Sequence, residues 1–285
     1  MSAARKVLLA GLGVVLACGG GRQEPPRPRD DMVLVPAGPF LAGCDPAQGC
    51  DPKYGGPLRT EVLAAFEIDR TEVSLGAYRM CWNAGPCKVA NDEAMARHDE
   101  VNRLRVRRGF EPVSKRAFPA GFVDDQEPPH MPMWGLSHHE ARVFCRWLGK
   151  RLPTALEWEK AARGTDGRPH PWGWDPPTRK NTSNFHWNHS FPRPVGVQPA
   201  GASPYGVLDM MGNVMEYVED AEPGEDAAWV AGSDWMRSED LSKGLTVLPR
   251  VGRRLSIYAR ADLEYVGFRC ARSVASAPAA AADRR

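Results

Sequence analysis

Two stretches in the middle of the chain combine a helix-starting signal with a helical spacing of apolar residues. Ser137 with Glu140, and Thr154 with Glu157, each place a hydroxyl residue three positions before a glutamate, which is the pattern of a capping box. Apolar positions then recur every three or four residues, and each run stops at a glycine, as expected for short amphipathic helices. The predicted inward-facing residues are Ala141, Phe144, Cys145 and Leu148 before Gly149, and Trp158, Ala161 and Ala162 before Gly164.

The remaining pattern predicts little regular structure. Residues 32–38 form a β-branched run that predicts a strand ending in a turn. Ser74 predicts the cap of a short helix that stops at Gly85. From 165 to 274 the chain is rich in Gly, Pro, Asn and aromatic residues with few periodic runs, which predicts irregular loops around small sheets. We therefore expect an α+β fold with a few short helices, built as one domain over residues 32–274.

The N-terminus has the features of an export signal. Arg5 and Lys6 precede an apolar run from 7 to 17 that is too short to span a bilayer, and Cys18 follows. The segment Val-Leu-Ala-Cys resembles a bacterial lipobox, which predicts a signal peptide over 1–18 and a lipid on Cys18; an ordinary signal cleaved after Ala17 is the alternative. Residues 19–31 are predicted to form a flexible tether, and residues 275–285 a disordered tail. This predicts an exported protein, periplasmic or anchored by its lipid at the outer membrane.

Charge argues against one class of partner. Lys and Arg number 37 against 35 Asp and Glu, and without residues 1–18 both counts are 35. A protein with no net charge and no dense basic stripe does not attract phosphates over its whole surface. Nucleic acid is therefore not an expected partner.

Six cysteines remain after Cys18, and an even number in an exported chain favours disulfides. Six cysteines allow 15 pairings. The short loops CDPAQGC and CWNAGPC turn the chain back on itself, which favours the local bridges Cys44–Cys50 and Cys81–Cys87. Cys145 and Cys270 are then left to pair by exclusion.

Three motifs together resemble the sulfatase-modifying factor family. They are GKRLPTALEWEKAARG at 149–164, GVLDMMGNVMEY at 206–217 and the ending GFRCAR at 267–272. The resemblance implies the irregular, C-type-lectin-like fold of the formylglycine-generating enzyme, which oxidises a substrate cysteine. It also matches Cys145 and Cys270 to a structural disulfide of that enzyme, in agreement with the pairing by exclusion.

The resemblance places the catalytic cysteines where this chain has none. In the family, two cysteines that bind copper(I) lie between the second and third motifs, but no cysteine occurs here between Tyr217 and Gly267. The matching positions fall near Met236 and Leu241, with the family serine retained as Ser233. Copper(I) needs soft thiolate ligands, so copper is not an expected cofactor.

The resemblance also implies a structural calcium ion. The family's calcium loop corresponds here to Asp209, Gly212, Val214 and Glu216, which would supply two carboxylates and two backbone carbonyls. The alternative is that Glu216 only accepts hydrogen bonds from nearby loop amides. His138, His139 and Glu140 are not expected to hold a metal, because adjacent helical residues point in different directions.

These observations predict an extracytoplasmic domain that keeps the family's fold without its chemistry. The leading hypothesis is a non-catalytic binding or scaffold protein of the cell envelope, whose partner is an envelope protein, a peptide or a glycan. Several tryptophans in the loops, such as Trp172 and Trp174, could contact such a partner. The alternative is an active oxidoreductase that converts a substrate cysteine to formylglycine.

Overall fold

The computed structural model describes residues 27–43, 56–88, 128–181, 192–221, 228–232 and 266–274. Within these ranges the strands and helices are short, and a 3-10 turn lies at Pro199–Gly201. In chain order the elements are β1 (Met32–Val35), β2 (Gly38–Ala42), β3 (Arg59–Leu63), β4 (Phe66–Asp69), α1 (Leu75–Ala84), α2 (His138–Trp147), α3 (Ala155–Arg163), β5 (Met215–Ala221), β6 (Ala228–Ala231), β7 (Val266–Phe268) and β8 (Ala271–Ser273).

The strands form small sheets that join distant parts of the chain. One sheet has the order β1-β4-β8, with all neighbours antiparallel, so the first and the last of the described strands lie in the same sheet. A second has the order β6-β5-β7, in which β5 runs antiparallel to β6 and parallel to β7. Strands β2 and β3 form an antiparallel pair. This architecture confirms the predicted α+β, loop-rich fold class.

The helices begin at the predicted caps. The Ser137 and Thr154 side chains accept from the backbone N–H three residues on, and Glu140 and Glu157 accept in return from the cap backbone at 2.7 and 2.8 Å. Each such cap typically stabilises its helix by about 1 kcal/mol. Helix α1 begins after Ser74 and is capped by Gly85 in the left-handed conformation.

Two apolar clusters form the described core. The first lies between α1, α2 and the β5–β7 strands, with Phe144 and Phe268 in edge contact at 5.5 Å. The second lies between α3 and the β1-β4-β8 sheet and is centred on the fully buried Trp158. Leu148, predicted to face inward, packs at the edge of the first cluster.

Two of the three predicted disulfides lie in the described part of the chain and are formed. Cys81 pairs with Cys87 and Cys145 with Cys270, with Cα–Cα distances of 5.4 and 5.6 Å. The second bridge fastens α2 to the segment that leads into β8. Cys44 and Cys50 lie outside the described residues, as do the predicted signal peptide with Cys18 and the tail over 275–285.

Helix α3 buries charged residues on the face that its amphipathic pattern leaves for solvent. Glu159, Lys160 and Arg163 are almost fully buried. The Lys160 ammonium donates to the Pro36 and Gly38 carbonyls, and the Arg163 guanidinium donates to Glu159 at 2.8 Å. Loop carbonyls therefore supply the partners that solvent would otherwise provide.

Residues 27–31, here called the N-terminal strap, belong to the predicted tether but lie against the domain. Asp30 forms ion pairs with Lys150 and Arg272, and Asp31 pairs with Arg70. These contacts attach the start of the described chain beside β8. Among the described residues, no helix is both long enough and apolar enough to cross a membrane.

Candidate functional site

The loop before β5 turns several polar side chains into the protein interior. Asp209 and Asn213 have φ angles of 58° and 62°, a left-handed conformation that Asp and Asn adopt more readily than most residues. Gly212 between them has φ 97°. Asp209, Asn213 and Glu216 are all buried at 3% exposure or less, so this loop directs polar groups inward where β5 begins.

Arg269 and Glu216 form the centre of this polar cluster. The guanidinium Nε and Nη2 atoms donate to the two Glu216 oxygens at 2.6 and 2.7 Å, and both side chains are buried. The Trp158 indole N–H donates to the same carboxylate at 2.8 Å. The other Arg269 N–H groups donate to the carbonyls of Asp69, Arg70 and Leu208. All five guanidinium donors are therefore satisfied, and Arg269 connects three separate segments.

Two further carboxylates beside this pair are only half satisfied. Glu72 accepts from the Asn213 side chain at 3.0 Å, and Asp209 accepts from the Gly196 backbone at 2.5 Å. Glu72 Oε2 and Asp209 Oδ1 are buried without a hydrogen-bond partner in the described part of the chain. Burial, and next the charge of Asp209, raise the pKa of Glu72 well above its usual value. Three carboxylates around one guanidinium leave this cluster short of positive charge when all are ionised.

The predicted calcium ligands match this arrangement only in part. Both Glu216 oxygens already accept from Arg269 and Trp158, so the charge of Glu216 is balanced by a guanidinium and not by loop amides. Asp209 retains one unused oxygen, which fits a cation. Across the described ranges, no group of three or more His, Cys, Asp or Glu side chains is arranged to hold a metal ion. Of the two predicted carboxylate ligands, only Asp209 therefore has an oxygen left for calcium, and Glu216 does not while Arg269 holds its carboxylate.

The strands that flank the segment with the missing cysteines in the sequence lie beside the same cluster. Ser233, Met236 and Leu241 lie outside the described residues. The strands on either side of that segment, β6 and β7, both pair with β5, which carries Glu216 and Tyr217. The described residues on both sides of 233–265 are therefore held at the strand that contributes to the polar cluster. The four cysteines within the described ranges are all joined in disulfides.

The histidine and tryptophan candidates have separate roles. His138 contacts the Val218 carbonyl through Nε2 at 2.8 Å, and Glu140 is used in its capping box. His170 stacks on Trp172 with ring centroids 4.9 Å apart, and burial lowers the pKa of His170 to about 4. Trp174, two residues after Trp172 in the sequence, is 59% exposed and can contact a partner. Trp187 and Trp235 lie outside the described residues.

Sequence reasoning missed the centre of the cluster. Arg269 was recognised only as part of the ending motif, and Glu72 was not singled out. Their partners lie far away along the chain: Glu216 is 53 residues from Arg269, and Asn213 is 141 residues from Glu72. Glu72 precedes Val73, and Glu216 lies between Met215 and Tyr217; an acidic residue next to apolar ones is the sequence signal that could have drawn attention to these positions.

Comparison with solved structures identifies the fold. The structure is similar to that of PvdO from Pseudomonas aeruginosa, with a TM-score of 0.60 at 22% sequence identity, covering 85% of this chain and 94% of that one. At this identity the likeness concerns the fold alone. It agrees with the architecture that the three motifs implied.

Sequence comparison identifies the family. The chain is 31% identical to inactive Cα-formylglycine-generating enzyme 2 of Bos taurus over 87% of this chain and 90% of that protein. It is also 34% identical to hercynine oxygenase of Mycolicibacterium thermoresistibile, over 70% of this chain but only 46% of that protein. A family model described as the sulfatase-modifying factor enzyme 1-like domain matches residues 21–274. The chain thus belongs to the family of formylglycine-generating enzymes and their relatives.

Proposed function

We propose that this chain is an exported, non-catalytic member of its family that binds a peptide, protein or glycan of the cell envelope. The observation that carries the proposal is the absence of cysteine between Tyr217 and Gly267. Without two thiolates in that segment, the chain has neither the soft copper(I) ligands nor the thiol that would form a disulfide with substrate. Support comes also from the inactive relative of Bos taurus, which matches over most of its length.

The polar cluster around Arg269 can support β5 in a protein that binds a ligand without converting it chemically. Arg269, Glu216 and Trp158 fix the base of β5 through buried hydrogen bonds. Strands β6 and β7, which flank residues 233–265 in the sequence, both pair with β5, so the polar cluster supports the strands next to the family's cysteine positions.

The test offers the chain a peptide containing Cys-x-Pro-x-Arg, with copper(I) and oxygen, and follows the peptide mass. We expect no mass loss from conversion to formylglycine, while a formylglycine-generating enzyme assayed in parallel converts the peptide. A second peptide with serine in place of cysteine measures binding without turnover. Conversion by this chain would overturn the proposal in favour of an active oxidoreductase.

We also propose that a calcium ion binds at Asp209, with the Gly212 and Val214 carbonyls as further ligands. The unused, buried Asp209 oxygen supports this assignment, and calcium prefers such oxygen ligands. Calcium should raise the melting temperature of the native protein after treatment with EDTA, and Asp209→Ala, which removes the side-chain oxygen, should lose most of that increase. An Asp166→Asn variant, altered at an exposed ion pair, is the control. No change of melting temperature with calcium would refute the site.

The proposed location rests on the N-terminal signal. A lipid on Cys18 would anchor the domain to a membrane, and intact-mass measurement of protein from the membrane fraction tests it directly. The expected mass is that of a chain beginning at an acylated Cys18. An unmodified cysteine would refute the anchor and leave the binding proposal intact.

A further inference from the structure

Glu72 is a buried carboxylate that lies outside the three family motifs. It belongs to the short connection between β4 and α1, where the Val73 backbone N–H donates to the Phe268 carbonyl at 2.8 Å. Its side chain is 2% exposed. The Oε1 atom accepts from the Asn213 side chain at 3.0 Å, whereas Oε2 has no hydrogen-bond partner in the described part of the chain. One oxygen of Glu72 is therefore held in place while the other is unused.

Asp209 has a second unused oxygen in the same cluster. The Gly196 backbone N–H holds Oδ2 at 2.5 Å, whereas Oδ1 is buried and has no partner among the described residues. The same loops hold both carboxylates, because Asn213 accepts from the Arg193 backbone N–H at 2.8 Å while it donates to Glu72. The negative charge of Asp209 also contributes to the raised pKa of Glu72, as expected for neighbouring carboxylates. Two fixed side chains therefore each leave one oxygen available in the same buried region.

The charges of the cluster are not balanced by its own residues. Glu216 is paired through both oxygens with the Arg269 guanidinium, so these two side chains neutralise each other. Glu72 and Asp209 then add two negative charges in the protein interior, where an uncompensated charge is costly. One divalent cation would balance both. Calcium is suited to this position because it prefers carboxylate and carbonyl oxygens.

We propose that Glu72 is the second carboxylate ligand of the calcium ion at Asp209, in the place that the family motif gives to Glu216. The inference rests on the calcium site of the proposed function and specifies its ligands. Glu72 Oε2 and Asp209 Oδ1 bind the ion, and backbone carbonyls with water complete its shell. Glu216 stays paired with Arg269 and does not bind calcium.

Isothermal titration calorimetry of the full chain, treated with EDTA and then dialysed free of it, measures calcium binding directly. Glu72→Gln keeps the size of the side chain and an oxygen for Asn213 but removes the charge. It should raise the calcium Kd at least about tenfold, because calcium affinity depends on the number of charged ligands. Glu72→Met, which removes both oxygens at similar side-chain length, should weaken binding further.

Glu216→Gln is the matched control, since it alters a buried carboxylate of the same cluster. It weakens the pair with Arg269, so it should lower the melting temperature both with and without calcium. Its calcium Kd should nevertheless rise less than that of Glu72→Gln. In EDTA, Glu72→Gln should melt no lower than the wild type, because it removes a buried charge that has no counterion. Only in calcium should Glu72→Gln be the less stable protein.

The outcomes separate this inference from the site on which it rests. No calcium binding by the wild type would overturn both. Binding that is lost in Asp209→Ala but unchanged in Glu72→Gln and Glu72→Met would overturn the role of Glu72 and leave the site at Asp209. A larger effect of Glu216→Gln than of Glu72→Gln on the calcium Kd would return the ligand role to Glu216. An equal loss of melting temperature in Glu72→Gln with and without calcium would make Glu72 a purely structural residue and would also overturn the inference.

Discussion

Replacing Cys145 and Cys270 with alanine should destabilise the domain far more than replacing Cys81 and Cys87. Both bridges are buried, and their cysteines are at most 2% exposed. The loss of sulfur atoms from the core is therefore comparable in the two variants. The difference between them reports mainly on the length of chain that each bridge closes.

The magnitude follows from the two sequence separations, which are 125 and 6 residues. In the chain-entropy description, cross-linking 125 residues stabilises the folded state by about 5 kcal/mol at 25 °C. The same relation gives about 2 kcal/mol for the shorter loop. The two double variants should therefore differ in free energy of unfolding by about 3 kcal/mol.

Urea-induced unfolding, followed by tryptophan fluorescence under non-reducing conditions, measures both variants against the wild type. The buried Trp158 lies in the second apolar cluster and should report its exposure. The variant without Cys145–Cys270 should also show a larger dependence of unfolding free energy on urea, because its unfolded chain is less compact.

Two results would contradict this reasoning. Equal losses of stability in the two variants would show that loop length does not set the stabilisation. A larger loss for Cys81→Ala/Cys87→Ala would show that local packing around α1 dominates. Unfolding in the presence of a thiol reductant provides the control, since it should remove the difference between the variants.

Three further results are expected. Arg269→Met should lower the free energy of unfolding by about 3–5 kcal/mol in urea titrations, because Glu216 is left buried without its cation. Arg272→Met, at the half-exposed ion pair with Glu67, should lower it by less than about 1 kcal/mol. Folding lowers the pKa of His170 from 6.5 to about 4, so between these two pH values the unfolded chain binds a proton that the folded chain does not. The free energy of unfolding should therefore decline by up to about 3 kcal/mol as the pH falls from 6.5 to 4. Thermal melts of His170→Phe should show a smaller decline over the same range. Gly267→Ala should lower the free energy of unfolding by about 1–3 kcal/mol in urea titrations, because the new Cβ would lie 2.7 Å from the Met133 carbonyl oxygen.

Local signals made the helices predictable. Ser137 with Glu140 and Thr154 with Glu157 act within one helical turn, so their capping boxes could be read from the sequence and are present in the structure. The cysteine loop from 81 to 87 is equally local. Its short length and turn residues were enough to predict the bridge.

Long-range polar partners could not be predicted in this way. The burial of Lys160 and Arg163 on α3 is not predictable from the sequence, because a pattern of apolar and polar residues contains no information about loop carbonyls 120 or more residues away. The same reason explains Glu216, which was assigned to calcium from its motif while its main partner is Arg269. Family motifs indicated that these positions matter, but only the folded arrangement shows which opposite charge each one meets.

The sheet order β1-β4-β8 determines when this domain can fold. Strand β4 forms its ladder with residues 271–273, and the Asp69 carboxylate accepts from the Cys270 backbone 201 positions further on. A polypeptide made from its N-terminus cannot complete that ladder until residues 271–273 have been synthesised. Such distant pairings also slow folding in general. The first sheet therefore cannot close until β8 has been made, and losing the stretch after residue 266 would leave this sheet without one edge.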